Sequence, residues 1–343
     1  MKLSRSEVQG GKRGYLVPSV VGRCLGCALL CSVFLGAGGT VSAQSGGQPT
    51  MIRVGSLAPA LPVYWGFYLA QDLGYFKARN LDVQVIKVSN DADCVRALTS
   101  DSLDACTSGI DAVMHAADAR ANVRIVAGLL DKNPTVLVAS PGMQKVTELR
   151  GKRIAVFNPE EGSTLAMFAL LTEAGLSRSD YDTISVGGSG PRFAALKAKQ
   201  ADATMLPPPN VFIALDAGYV RLASAATSHA VYGTVLSAMP GRNAATDQAL
   251  AQLVSAMKQA NAWLVNPENR AAAIDLATKG TLKIPAQYAE RTYKLIVEES
   301  GAISKDAKPS IETVRNVARL MATYTKSKAQ RDPTYYIDER YLK

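Results

Sequence analysis

The sequence predicts an α/β protein of two similar lobes, each a mostly parallel sheet flanked by helices. Three observations predict this fold class. The chain of 343 residues is long enough for two lobes of ordinary size. Strand and helix patterns alternate along residues 51–231, which is typical of parallel sheets built from βαβ units. The same order of elements then recurs once, about one hundred residues further along the chain.

The first set of elements lies in residues 52–129, where alternating or short apolar runs are separated by stretches of helical periodicity. Strands are predicted at 52–57, 82–88, 104–107 and 123–129, and helices at 65–79, 91–99 and 110–120.

Four landmarks indicate that the second set repeats the first. Val54 corresponds to Ile154, and Asp82 corresponds to Asp182. Ala97-Leu98 and Asp104-Ala105 correspond to Ala195-Leu196 and Asp202-Ala203. Val123-Arg124-Ile125 corresponds to Val220-Arg221-Leu222. The offsets are 100, 100, 98 and 97 residues. Each pair of matching residues is common by itself, so the alternative to a true repeat is the general similarity of α/β sequences. Four landmarks in one order favour two lobes of the same plan.

The duplication predicts the domain boundaries. Residues 51–140 form the first part of lobe 1, 141–231 form lobe 2, and 232–343 return to lobe 1. The lobes are joined through 136–152, which contain a Ser-Pro-Gly turn signal. A strand-like segment at 232–238 leads back to lobe 1. The helices that follow are expected to pack onto lobe 1, at 244–265, 267–279, 285–300 and 310–325.

Residues 1–43 have the pattern of a signal peptide. Basic residues precede an uncharged run at 24–39, and small residues Val41 and Ala43 fit the −3 and −1 sites of cleavage. The run is shorter than the roughly 20 residues that cross a bilayer, so cleavage after Ala43 is favoured over an uncleaved anchor. None of the three cysteines in this segment lies in a convincing lipobox. We therefore expect a freely diffusing, monomeric protein in the periplasm.

The charge and composition disfavour several function classes. The formal charge of +9 falls to +5 when residues 1–43 are removed, and aromatic residues are 6% of the chain. Both features disfavour a nucleic-acid partner. The sequence has two histidines, His115 and His229, and no CxxC pair in its body. No metal site and no cofactor are therefore predicted.

Cys94 and Cys106 remain in the mature chain, in an oxidising compartment. Cys94 is predicted on a helix and Cys106 on a strand. Because the sequence does not give the distance between them, two buried free thiols are favoured and a disulfide stays open.

Ligands of open α/β sheets bind beyond the carboxyl ends of the strands, where loops lead into helices. The duplication pairs the loops 58–65, 89–93 and 108–111 of lobe 1 with 158–164, 187–191 and 206–210 of lobe 2. Two such rims facing each other can close on a small molecule. The predicted ligand-binding residues are Tyr64, Trp65, Ser108, Gly109, Asp111, Asn158, Glu161, Ser163, Thr164, Ser189, Arg192 and Pro208. No catalytic residue is predicted.

These residues suggest different ligand chemistries. Tyr64 and Trp65 would wall an apolar part of a ligand, although Trp65 also fits a packed helix start. Ser163 and Thr164 open a helix whose free N–H groups suit an oxygen-bearing group, although ordinary capping explains them as well. A cleft-facing Glu161 would repel a sulfonate and attract an amine or amino-pyrimidine.

Arg192 is the cation placed to meet an anion, with a solvated helix face as the alternative. Pro207, Pro208 and Pro209 form a rigid segment that would shape the rim.

Several segments together resemble a known family. They are IRVGSLAPALPVYWGFYLAQDLGYFKARNLDVQV, VRALTSDSLDA, ELRGKRIAVFNPEEGSTLAMFALLTEAGL, FAALKAKQADATMLPPPNVFIALDAGYVRL, AWLVNPENRAAAI and DPTYYIDERYL. The sequence resembles type 2 periplasmic solute-binding proteins of ABC importers for nitrate, sulfonates, taurine and thiamine-precursor pyrimidines. The resemblance implies a bilobal binding protein that delivers a small organic or oxyanion solute to a membrane permease. It also implies ligand contacts at Tyr64 and Trp65 and at the helix start Ser163–Thr164.

Two other functions fit the same fold. One is a ligand-sensing module for a membrane signalling partner. The other is a secreted enzyme, which is disfavoured because Pro191 replaces the last glycine of a GxSxG motif and no SxxK or HExxH motif is present. The superfamily includes a fungal pyrimidine-synthesising enzyme marked by a cysteine-rich stretch beside histidine, and no such stretch occurs here.

Overall fold

The computed structural model describes residues 48–57, 61–327 and 331–343. The predicted signal peptide at 1–43 lies outside the described residues. Within those ranges, no helix combines the length and the apolar character needed to span a membrane.

Lobe 1 is built on a five-stranded sheet in the order β2-β1-β3-β10-β4. Four strands are parallel, and the inserted β10 runs antiparallel to its neighbours β3 and β4. The strands are β1 (Thr50–Ser56), β2 (Leu81–Lys87), β3 (Ala105–Gly109), β4 (Arg124–Leu130) and β10 (Thr234–Ala238). The helices between them are α1 (Trp65–Asp72), α2 (Asp91–Thr99) and α3 (Ile110–Asp118).

Lobe 2 repeats this plan in the order β7-β6-β8-β5-β9, with β5 as the antiparallel strand. Its strands are β5 (Val136–Ala139), β6 (Arg153–Val156), β7 (Asp182–Ser185), β8 (Ala203–Leu206) and β9 (Val220–Ser224). Its helices are α4 (Gly162–Glu173), α5 (Ser189–Lys197) and α6 (Asn210–Asp216). The predicted class, two α/β lobes with mostly parallel sheets, is confirmed.

The repeated landmarks occupy equivalent places in the two sheets. Val54 pairs with Ala105 across β1 and β3, and Ile154 pairs with Ala203 across β6 and β8. The repeated aspartates also make the same bond. The Arg53 N–H donates to Asp104 at 2.8 Å, and the Arg153 N–H donates to Asp202 at 2.9 Å. The repeat predicted from the sequence therefore corresponds to the same hydrogen bond, from a backbone N–H to an aspartate, in each lobe.

The first crossing between the lobes lies earlier than predicted. The boundary expected at 140/141 assigned β5 to lobe 1, whereas β5 pairs with β8 and β9 of lobe 2. The crossing is therefore 131–135 rather than 136–152. The chain returns through 225–233 to β10, which lies in the lobe 1 sheet as expected.

The C-terminal helices are α7 (Ala244–Leu264), α8 (Arg270–Lys279), α9 (Ala286–Tyr293) and α10 (Ile311–Tyr324), with a π-helical segment at Lys294–Glu299. α7 packs along α1, as expected for lobe 1. α10 contacts both α3 and α4, so the expectation that all of these helices pack onto lobe 1 is wrong for α10. The helix predicted at 65–79 is also too long. It ends near Gly74, whose φ of 73° is left-handed.

Cys94 and Cys106 form a disulfide, so the favoured interpretation of two free thiols is wrong. α2 packs on β3 and brings the two Cα atoms to 6.1 Å, which is within disulfide range. Gly55 on the neighbouring strand leaves room for the bridge, because a Cβ there would overlap the Cys94 sulfur.

Candidate functional site

A cavity of about 250 Å³ lies between the carboxyl ends of the parallel strands of the two lobes. Both lobes and both crossings supply its walls. The described residues that line it are Leu57, Leu61, Val63, Tyr64, Ser89, Asp91, Gly109, Asp111, Asn133, Thr135, Phe157, Glu161, Ser163, Gly188, Ser189, Arg192, Pro207, Tyr232 and Thr234. Such a volume suits a small solute enclosed between two rims.

Two aspartates of lobe 1 lie side by side in this cavity. Asp91, in the first turn of α2, accepts the Gly109 N–H at 3.2 Å through Oδ2, and its Oδ1 is buried without a hydrogen-bond partner. Burial and the charge of Glu161 raise the pKa of Asp91 to about 7. Asp111, in the first turn of α3, also lies against Gly109, where a Cβ would overlap its carboxylate. Burial, then Asp91 and Glu161, raise the pKa of Asp111 well above its usual value.

The third carboxylate, Glu161, belongs to lobe 2 and is the residue directly before α4. It accepts a hydrogen bond from the Ser163 hydroxyl, and Ser163 in turn accepts one from Arg192 Nη1 at 3.1 Å. Arg192 is 6% exposed, and its Nε is buried without a partner. Burial lowers the pKa of Arg192, while Glu161 opposes that shift. The cavity therefore holds three carboxylates and one guanidinium that is already engaged by lobe 2.

Two tyrosines complete the polar wall. Tyr232, on the second crossing, shares a hydrogen bond with the Thr135 hydroxyl of the first crossing. Tyr64 lies at the entry to α1. Burial raises the pKa of both phenols, so they are neutral hydroxyls at physiological pH. Leu57, Leu61 and Phe157 add apolar surface, so the cavity combines an acidic side with an apolar one.

The structure brings seven of the twelve predicted residues to the cavity. They are Tyr64, Gly109, Asp111, Glu161, Ser163, Ser189 and Arg192. Asn158 lies in an adjoining cleft of about 780 Å³, which shares Asp91, Asp111 and Glu161 with the cavity.

The other four predicted residues lie away from the cavity. Trp65 is 1% exposed and packs edge-on against Tyr293 at 5.8 Å, because it begins α1 on the side that faces the core. Ser108 is buried in β3 and shares a 3.0 Å hydrogen bond with Ser237. Thr164 points into its own lobe, where its hydroxyl is buried without a partner. Pro207 rather than Pro208 reaches the rim.

The sequence interpretation missed Asp91, Phe157 and the crossing residues. The crossing residues of the cavity wall are Asn133, Thr135 and Tyr232, and Thr234 at the start of β10 lies beside them. Asp91 lies in the predicted rim loop 89–93, but it is not among the residues that the sequence interpretation assigned to ligand binding. The crossings could have been inferred from topology, because any segment that passes between two facing lobes must border the space between them.

Comparisons with known proteins agree with this architecture. Residues 62–271 match the family described as NMT1/THI5 like. A 4-amino-5-hydroxymethyl-2-methylpyrimidine phosphate synthase of Schizosaccharomyces pombe is 28% identical over 133 residues, which are 37% of each chain. The chain thus spans about 37% of the length of this curated relative. A Brucella abortus protein, described only provisionally as a binding protein, is 26% identical over 306 residues, 84% of this chain and 91% of that one.

Among solved structures, the alkanesulfonate-binding protein of Xanthomonas axonopodis pv. citri, bound to MOPS, superposes with a TM-score of 0.66 at 20% identity. The match covers 81% of this chain and 94% of that one. At this identity the likeness shows the fold, which is the two-lobed fold of periplasmic binding proteins.

Proposed function

We propose that this chain, which belongs to the NMT1/THI5-like family, is a periplasmic solute-binding protein that delivers one small solute to the permease of an ABC importer. It would do so as a diffusible monomer after cleavage of residues 1–43. The observation that carries the proposal is a cavity walled by both lobes and both crossings, because rotation of the lobes about the crossings can close such a cavity on a solute.

The charges of the cavity favour a solute that carries an amine or an amino-heterocycle. Asp91, Asp111 and Glu161 present acceptors, whereas the Nη1 of Arg192 is already bonded to Ser163. An ionised sulfonate or nitrate would meet three carboxyl groups, of which that of Asp111 is buried, and bringing like charges together away from water is costly. A protonated or hydrogen-bond-donating nitrogen would instead satisfy the free Oδ1 of Asp91.

Binding rather than catalysis is favoured by the residue types at the site. None of the described residues that line the cavity is a cysteine, histidine or lysine. Ser163 donates to Glu161 with no histidine between them, so the usual nucleophile–base pair is not assembled.

A thermal-shift panel tests the proposal, because a ligand that binds only the folded protein raises its stability. The panel would contain primary amines, 4-amino-5-hydroxymethyl-2-methylpyrimidine, taurine, alkanesulfonates and nitrate. We expect stabilisation by amine or amino-heterocycle compounds, about 3 kcal/mol at one hundred times the dissociation constant, and no turnover of the bound compound.

The matched variants are Glu161→Gln and Glu160→Gln. Glu161 lines the cavity, and Glu160, its exposed neighbour, does not. We expect Glu161→Gln to weaken binding of an amine at least tenfold and Glu160→Gln to leave it nearly unchanged. Stabilisation by sulfonates or nitrate alone would overturn the ligand class, and chemical conversion of the ligand would overturn the binding function.

A further inference from the structure

One close contact joins lobe 1 to lobe 2 directly across the candidate site. The carboxylate of Asp111 on α3 lies against Gly162, the first residue of α4. The fit is close, because a Cβ on Gly162 would lie 3.0 Å from Asp111 Oδ1 and 2.9 Å from the ring of Tyr232. This contact joins the two lobes, and it can form only when the lobes are closed on each other.

Charged and titratable groups surround Asp111 on every side. α2 contributes Asp91, the residue before α4 is Glu161, α5 contributes Arg192, and the second crossing contributes Tyr232. Two further groups lie nearby: Tyr64 at the start of α1, and His115 one turn along α3 in the adjoining cleft. The tyrosines are neutral, so the groups that can carry charge in the cavity are three carboxyl groups and one guanidinium.

Closing an empty cleft around this cluster is therefore unfavourable when all three carboxylates are ionised. Two of them, Asp91 and Asp111, belong to lobe 1, and Glu161 belongs to lobe 2, so closure brings like charges together and removes water from them. Added positive charge would relieve both costs.

We propose that Asp111 is a positioning residue that couples closure of the lobes to positive charge in the cavity, supplied by protons or by a cationic group of the solute. The inference rests on the proposed function, because it assumes a clamp that opens and closes. It goes beyond that function by making the empty protein close in response to pH.

The direction of the pH effect follows from burial. The closed form binds more protons than the open form, because burial raises the pKa of Asp91 to about 7 and that of Asp111 well above its usual value. The closed fraction thus rises as the pH falls through 7 and levels off near ~4, where the open form is protonated too. Each proton taken up changes the ratio of closed to open protein by at most about tenfold per pH unit.

Small-angle scattering of the protein without ligand, at pH 8 and pH 5.5, measures this coupling. We expect a smaller radius of gyration at pH 5.5. Asp111→Asn keeps the size and shape of the side chain that lies against Gly162 and removes one charge, so we expect it to be closed already at pH 8. Gly162→Ala blocks the contact and should stay open at both pH values.

Two controls separate this mechanism from general effects. Gly190→Ala lies in the same lobe but outside the cavity wall, and its Cβ would meet nothing within 4 Å, so it should behave like the unsubstituted protein. Asp131→Asn removes a different, half-buried carboxyl outside the cavity, whose pKa is raised to about 6 by partial burial, and should keep the pH response. Thermal melting of each variant checks that it is folded.

Three results would overturn the inference: a radius that does not change with pH, a Gly162→Ala protein that closes normally at pH 5.5, or a pH response lost in Asp131→Asn and kept in Asp111→Asn. If the radius is constant while the compound panel still stabilises the protein, the coupling is wrong and the solute-binding function stands.

Discussion

Asp131 shows how a single residue at the first crossing affects stability. Its Oδ1 accepts the Ser310 N–H at 3.1 Å, and its backbone carbonyl accepts the Thr313 hydroxyl at 2.9 Å. Burial, with a further contribution from Asp306, raises the pKa of Asp131 to about 6. The folded protein therefore binds more protons here than the unfolded chain, so this residue lowers stability as the pH rises from about 4 through 6.

Asp131→Asn should raise the free energy of unfolding at pH 8 by up to about 3 kcal/mol and leave it nearly unchanged at pH 4. Urea unfolding at the two pH values measures this. Asp180→Asn is a control of opposite sign, because backbone and side-chain hydrogen bonds from Ser177 lower the pKa of Asp180. That variant should lose stability at pH 8. An equal gain for Asp131→Asn at both pH values would show that its charge is not the cause.

Individual site residues could be predicted from the sequence where the position of the loop alone decides whether the side chain reaches the cavity. Glu161 and Arg192 follow strand ends in the repeated plan, and both reach the cavity. Tyr64 and Trp65 are neighbours in the sequence, yet one lines the cavity and the other packs in the core. Their directions depend on where α1 begins relative to the sheet, which no local pattern specifies.

At the scale of elements, the disulfide fixes α2 to β3. Asp91 precedes Cys94 by three residues, and Gly109 follows Cys106 by three. The bridge thus joins the two elements whose ends make the hydrogen bond between Gly109 and Asp91. It also supports the expectation of an oxidising compartment, where such bonds persist.

The double variant Cys94→Ala/Cys106→Ala should be less stable by about 3 kcal/mol, because the unfolded chain regains the freedom that the short closed loop removed. Thermal melting with and without dithiothreitol measures the effect. Reductant should lower the melting temperature of the unsubstituted protein towards that of the double variant and should not affect the variant itself. A reductant-insensitive parent protein with the same stability as the variant would refute a structural role for the bridge.

The strands could be predicted from the sequence where the same strand pairing occurs in both lobes. Asp104 and Asp202 predicted equivalent strands. In the structure Asp104 accepts the backbone N–H of Arg53, and Asp202 accepts that of Arg153. β5 was assigned to the wrong lobe, because Val-Leu-Val-Ala is a buried apolar strand in either sheet and only its partners decide. Pairing partners far apart in the chain are not encoded in a local pattern.

For the whole molecule, α10 is the element that holds the two crossings in place. Ser310, which caps it, donates its N–H to Asp131 of the first crossing. Further along the helix, the Asn316 amide donates to the carbonyls of His229 and Val231 on the second crossing. The crossings are joined to each other through the Asn133 N–H and the Tyr232 carbonyl at 2.8 Å. One helix thus sets the geometry about which the lobes would rotate.

Asn316→Ala should therefore loosen both crossings without unfolding either lobe. Losing its hydrogen bonds should speed amide hydrogen exchange about tenfold in peptides that cover 131–135 and 225–233, where a net bond contributes about 1 kcal/mol. Exchange in β1 and β6 should not change, because neither strand is among the elements that pack extensively on α10. Arg315→Ala, at an exposed position on the same helix, is the matched control and should leave both crossings protected. If exchange rises equally in β1 and β6, the substitution destabilises the whole fold, and α10 is not a specific brace of the hinge.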